Sequence, residues 1–89
     1  MSWVCKFEDR ALKDLRKLDR QVQQRIIRFL EERVAPSENP RSLGKPLTGR
    51  FTGLWRYRVG DYRVICTLRD AELLVLVVEV GHRREIYDH

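Results

Sequence analysis

Cysteine, proline, glycine and histidine are all scarce here: two cysteines, three prolines, five glycines and two histidines among 89 residues. Cys5 and Cys66 lie far apart and form neither a CxxC pair nor a zinc-ligand spacing. Both fall on strand faces expected to be buried, so they read as small apolar residues. A disulfide would need an oxidising compartment, and no address for one is visible. No apolar run reaches the roughly eighteen residues that cross a bilayer, and the opening MSWVCKFE lacks a signal-peptide core. The expectation is a cytoplasmic protein with no membrane partner.

What is present is a composition 43% hydrophobic and 35% charged. That is enough apolar material to offset ordering entropy, so a disordered chain is excluded. At this length roughly 60 to 70% of the unfolded surface can be buried, which means one modest core and a single domain, 1–89. The formal charge is +5, and it is unevenly spread. Between Arg41 and Arg69 seven basic residues face one acid, Asp61, whereas the rest of the chain carries eleven basic and twelve acidic residues. A concentrated positive segment favours a polyanion, most often nucleic acid; the alternative is a solvated face that maintains solubility. Arginine outnumbers lysine fourteen to four, which leans toward phosphate because guanidinium presents a planar fork of donors.

Trp3, Cys5 and Phe7 alternate with Val4, Lys6 and Glu8, a period of two that predicts a first strand with the odd positions inward. From Asp9 the apolar residues Ala11, Leu12, Leu15, Leu18, Val22, Ile26, Phe29, Leu30 and Val34 recur every three or four residues. Two helices are expected, about 9–18 and 20–34, with Asp19 capping the second. Residues 36–53, PSENPRSLGKPLTGRFTG, hold all three prolines and three of the five glycines. They predict a long loop, pinned by Leu43, Leu47 and Phe51.

Three strands are predicted beyond it, 54–59, 62–69 and 73–82. Gly60-Asp61 makes a two-residue hairpin turn and fixes the register, with Val59 opposite Tyr62 and Arg58 opposite Arg63. One face is then Trp55, Tyr57, Val59, Tyr62, Val64, Cys66 and Leu68. The other carries Arg56, Arg58, Arg63, Ile65, Thr67 and Arg69. An odd turn around Asp70-Ala71-Glu72 would put Leu73, Val75, Val77 and Glu79 on the arginine face, continuing through Gly81 to Arg83.

Arg58 opposite Arg63 is a like-charge cross-strand pair, which folding alone disfavours. Arg56, Arg63 and Arg83 converge on one face, near His82, Arg84, Glu85 and Tyr87. Guanidinium groups gathered in this way suit a phosphodiester, whose phosphoryl oxygens gain charge as a nucleophile attacks. Tyr87 could stack on an unpaired base. The residues themselves leave open single-stranded RNA binding or cleavage, an acidic protein partner, or a solvated face.

The motifs NPRSLGKPLTG, LWRYRVGDYRVI and GHRREIYD, in this order behind a helical hairpin, resemble the RelE/ParE superfamily of toxin-antitoxin toxins over nearly the whole chain. The resemblance implies an α+β, RelE-like fold: an N-terminal strand and helical hairpin packed on a twisted antiparallel sheet, in the order β-α-α-β-β-β. RelE-like members cleave mRNA in the ribosomal A site, without a metal or other cofactor, by attack of the substrate's own 2′-hydroxyl on the adjacent phosphate. ParE-like members poison DNA gyrase instead, and a homologue that only binds antitoxin or RNA is a further alternative. The family's catalytic positions fall on Arg56, Arg63, Arg83 and Tyr87. Arg63 and Arg83 would clamp the phosphate, and Tyr87 would orient the nucleotide. Lys45, Arg50, Arg58 and Arg84 are expected to line the RNA path. A second family lysine falls on Leu54, and the first is replaced by Arg56, a poor general base because arginine stays protonated. His82 is therefore the local candidate for proton transfer, its other reading being a surface residue at a strand end. The implied partners are a cognate antitoxin, the ribosome and mRNA.

Overall fold

The change of period at Asp9 is where strand gives way to helix. The computed structural model describes residues 2–82, so the expectations for Arg83, Arg84 and Tyr87 lie outside the described residues. Strand β1 spans Val4–Phe7, helix α1 Asp9–Arg16 and helix α2 Arg20–Phe29. A π turn, Leu30–Val34, continues α2, closed by the Ala35 N–H on the Leu30 carbonyl at 2.8 Å. Asp19 does precede α2, but its carboxylate makes no capping hydrogen bond. Its carbonyl accepts from the Gln23 N–H, and the Gln23 side chain donates to the Leu18 carbonyl at 2.8 Å. The corner is thus closed by backbone and by Gln23 rather than by an aspartate cap.

The predicted loop contains short regular pieces: 3-10 turns at Pro40–Leu43 and Gly49–Phe51, with strand β2, Lys45–Pro46, between them. Strands β3, Trp55–Val59, β4, Tyr62–Arg69, and β5, Leu74–His82, complete a sheet ordered β1-β5-β4-β3-β2. The last three form the expected antiparallel meander, but β1 joins β5 in parallel, so the sheet is mixed. The β3–β4 register matches the one read from the Gly60-Asp61 turn, residue for residue. Gly60 supplies the positive φ, +60°, that the turn requires.

Strand β5 departs from expectation in its first half. Four residues, Asp70 to Leu73, separate Arg69 from its partner Leu74, and Leu73 takes a left-handed conformation at φ 49°. The turn is therefore even, which sends Val75 and Val77 into the core instead of onto the arginine face. A register shift follows, with Ile65 opposite Glu79 but Cys66 opposite Val77. The extra residue restores the predicted parity, so Glu79 and Gly81 do lie on the arginine face.

Both helices pack on the other face. Ala11 and Leu15 of α1, and Ile26, Leu30 and Val34 of α2 and its extension, meet Trp3, Tyr57, Val59, Val64, Cys66, Val75, Val77 and Val80 in one core. Each such aliphatic side chain contributes about 1.5–3 kcal/mol when buried. Among the described residues no helix is long and apolar enough to cross a membrane.

Candidate functional site

The sheet face turned away from the helices carries two adjacent cross-strand rows. Lys45, Arg56, Ile65 and Glu79 make one, running from β2 to β5; Arg58, Arg63 and Gly81 make the other. Arg56 and Arg63 are therefore neighbours on one face, as the hairpin register requires. Ile65 is 3% exposed and Arg63 7%, and Arg63 is the one charged side chain buried among the described residues. A guanidinium taken this far out of water is costly to place and has little freedom to move. Arg58, its cross-strand partner, is exposed. Gly81, opposite Arg63, has no side chain and is itself buried.

Lys45 reaches this face because the loop before β3 is fastened to the sheet at several points. The buried Tyr57 hydroxyl donates to the Pro40 carbonyl at 2.9 Å, and Trp55 Nε1 donates to the Arg41 carbonyl at 3.1 Å. The Arg41 guanidinium lies 5.7 Å from the Trp55 ring centroid and binds both carboxylate oxygens of Asp70, at 2.8 and 2.9 Å. That hydrogen bonding holds the Asp70 carboxyl below its usual range and raises Arg41 further. Burial pushes the Tyr57 phenol up, so its proton stays available for Pro40. Pro40 is fully buried, and Leu43 packs against the core as expected. Phe51, expected to pin the loop, is instead 36% exposed.

Phe51 faces a hollow of about 370 Å³ lined by Arg50, Glu79 and Arg10. The Arg50 guanidinium lies 5.4 Å from the Phe51 ring centroid, and Arg10, from the first turn of α1, pairs with Glu79. Sequence reasoning missed Phe51 and Arg10 as site residues. The signal available was an aromatic beside an arginine in a proline- and glycine-rich loop, a pairing that suits base stacking. Arg50 and Glu79 place this hollow beside the Lys45–Arg56 row.

His82 lies elsewhere. It pairs with Tyr62, and their rings meet edge to face, 5.6 Å apart, on the helix side of the sheet. The structure thus brings Lys45, Arg56, Arg58 and Arg63 together, adds Arg50 at one margin, and sets His82 on the opposite face. Cys5, whose thiol donates to the Leu30 carbonyl at 3.7 Å, is pushed up to about 11 by burial and the nearby Glu31. Burial pushes the Cys66 thiol up as well, so neither is a nucleophile at neutral pH. Among the described residues no three His, Cys, Asp or Glu side chains converge as metal ligands.

The chain and its fold have counterparts among known proteins. A family model described as the ParE toxin of type II toxin-antitoxin system, parDE, matches residues 5–87. The chain is 30% identical over 87 residues to Toxin RelG of Mycobacterium tuberculosis, covering 98% of each. It is 31% identical over 77 residues to Toxin RelE of the same organism, covering 86% of this chain and 77% of that one. Among solved structures it resembles the M. tuberculosis toxin-antitoxin complex RelBE2, with a TM-score of 0.85 at 26% identity over 93% of both chains. It also resembles the isolated E. coli RelE toxin, with a TM-score of 0.72 at 26% identity over 98% of this chain and 93% of that one.

Proposed function

Since the chain belongs to the ParE toxin family of type II toxin-antitoxin systems, we propose that it acts as a RelE-like mRNA interferase, cleaving mRNA in the ribosomal A site in the cytoplasm. The observation that carries this reading is the buried Arg63 beside Arg56 on a face continued by Lys45, Arg58 and Arg50. The substrate's 2′-hydroxyl attacks the adjacent phosphorus, the P–O5′ bond breaks, and the products are a 2′,3′-cyclic phosphate and a 5′-hydroxyl. Charge on the phosphoryl oxygens rises toward the transition state, and fixed cations there lower the barrier. In this reading Arg63 and Arg83 hold those oxygens, Arg56 flanks them, and Tyr87 orients the nucleotide. Lys45, Arg50, Arg58 and Arg84 guide the backbone, with Phe51 available to stack on a base. His82 would have to act from the strand end rather than from the arginine face. The partners are a cognate antitoxin, in keeping with the toxin-antitoxin complexes this fold resembles, and the ribosome with its mRNA.

Primer extension on an mRNA in a purified translation system tests this, with folded wild type, Arg63→Ala and Arg83→Ala compared. Ribosome-dependent cuts within A-site codons, lost in both variants, are expected. Intact RNA under wild type, with growth still inhibited, would overturn the nuclease reading. One observation favours a second reading, a ParE-like toxin acting on gyrase: Leu54 and Arg56 stand where RelE-like relatives are expected to carry lysines. A gyrase cleavage assay separates the two.

A further inference from the structure

Three arginines from the charge-balanced part of the sequence are not balanced in space. Arg25 and Arg28 of α2 and Arg33 of the π turn join Arg58 of β3 around a shallow hollow of about 320 Å³ at the tip of the β3–β4 hairpin. Glu32 is the one carboxylate in its lining. Among the described residues none of these four arginines takes part in an ion pair. Arg58 reaches only the Gly60 carbonyl, at 3.4 Å. Arg25 folds over Gly60, where a Cβ would stand 3.0 Å from its Nη1, so the bare turn makes room for it.

Four guanidinium groups gathered with one acid raise the local positive potential, and folding gains nothing from it, since glutamine would serve the helix nearly as well. The aromatic surface here is already engaged: Phe29 is half-buried and sits edge-on to Tyr57, 5.9 Å away. The apolar residues of the lining are Phe29 and the buried Val59, and the rest of the rim is guanidinium donors in forks with Glu32. That combination suits phosphate oxygens. Arg58 also stands opposite Arg63 on the arginine face, so it links the hollow to that face, with Asp61 the exposed acid at the hairpin tip between them.

We propose that the hollow between α2 and the hairpin tip is a second RNA-binding site, holding the sugar-phosphate backbone of a folded RNA beside the face that would cut. This goes beyond the cleavage reading and does not depend on it, because a chain that bound RNA without cutting would carry the same site. The test is fluorescence anisotropy with a labelled, fully 2′-O-methylated RNA hairpin, which lacks the attacking hydroxyl and so reports binding whichever way cleavage falls. Wild type is compared across salt concentrations with Arg25→Gln/Arg28→Gln/Arg33→Gln and with Lys13→Gln/Arg16→Gln/Lys17→Gln, a control that removes the same net charge from α1. Circular dichroism melts confirm that both variants fold. The expected result is a loss of about tenfold or more in affinity for the α2 variant, with the slope of log K against log salt shallower by about two to three, and a much smaller change for the control. Equal affinity in the α2 variant and wild type, or equal losses in both variants, would overturn the proposal. So would a hollow whose mutation abolishes binding of an acidic peptide but leaves RNA binding intact, an outcome that would assign it to a protein partner.

Discussion

Replacing Gly44 by alanine tests how the loop and the arginine face are coupled. Gly44 is extended, with φ −144° and ψ −161°, so any residue could adopt its backbone. What forbids a side chain is space. A Cβ there would lie far inside van der Waals contact with the Arg56 carbonyl oxygen, 2.9 Å from Tyr57 Cδ1 and 3.0 Å from Trp55 Cδ1, where ordinary contact begins at 3.4 Å. Backbone cannot swing aside as a long side chain does, so the loop entering β2 must back away from β3 by about an ångström. Overpacking of this kind costs about 1–3 kcal/mol, and each kcal/mol lowers the melting temperature of a domain this size by about 4–8 °C. Lys45 and Arg56 are cross-strand partners one residue away, and an ångström of misplacement at a reacting centre can cost about a hundredfold in rate. Differential scanning calorimetry and the A-site cleavage assay measure the two effects. Gly49→Ala is the comparison, because nothing lies within 4 Å of its Cβ and the cost is only that of a φ of +66°, about 1 kcal/mol. If Gly44→Ala melts with wild type and cleaves at its rate, the coupling argued from this contact is wrong.

Tyr57→Phe keeps the ring but removes the donor to Pro40; a loss of about 1–2 kcal/mol is expected in urea denaturation, and an unchanged midpoint would show that water satisfies that carbonyl. Asp14→Ala strips the acceptor from the Val80 N–H, 3.2 Å away. It should destabilise by about 1–2 kcal/mol, with Asp14→Asn recovering part of the loss. Cys5 has its folded pKa raised from 9.0 to about 11, so the folded chain holds the proton more tightly than the unfolded one. Its contribution is complete below about pH 9 and is lost as pH rises toward about 11. Cys5→Ala should flatten the stability profile across that window, and an identical alkaline profile would refute the assignment.

The hairpin was legible because a two-residue glycine turn leaves one register, and that register alone puts Arg56 beside Arg63 and the aromatics beneath the helices. Strand β5 was only half legible. The sequence does not say whether Leu73 takes a left-handed turn, nor where the strand absorbs an extra residue, and the two effects cancel only from Glu79 onward. Lys6 and Glu8 beside Trp3, Cys5 and Phe7 gave the inward face of β1 but not its direction of pairing, which depends on a partner distant in the chain. The α2 arginines escaped notice for a different reason. A charge count along the sequence lets Glu31 and Glu32 cancel Arg28 and Arg33, whereas of the two acids only Glu32 shares their hollow with Arg25 and Arg58. Arg56 and Arg63 could be placed from pattern alone, while the exposure of Phe51 depended on how the loop closes, which composition does not encode.

The parallel ladder between β1 and β5 also governs how the protein comes into being. Val4–Phe7 must wait for Leu74–Val77, about seventy residues downstream, and closing so long a loop is a late and entropically expensive step. The β3–β4 hairpin, by contrast, closes over two residues and needs only its neighbours. On a translating ribosome the arginine rows can therefore pair early, yet the sheet that backs them stays open until β5 has emerged. Stalled nascent chains ending before Leu74 are accordingly expected to remain protease-sensitive, and resistant ones would show that the β1–β5 ladder is dispensable for assembly. A chain proposed to attack translation would on this account hold its arginine hairpin formed but unbacked until β5 is made.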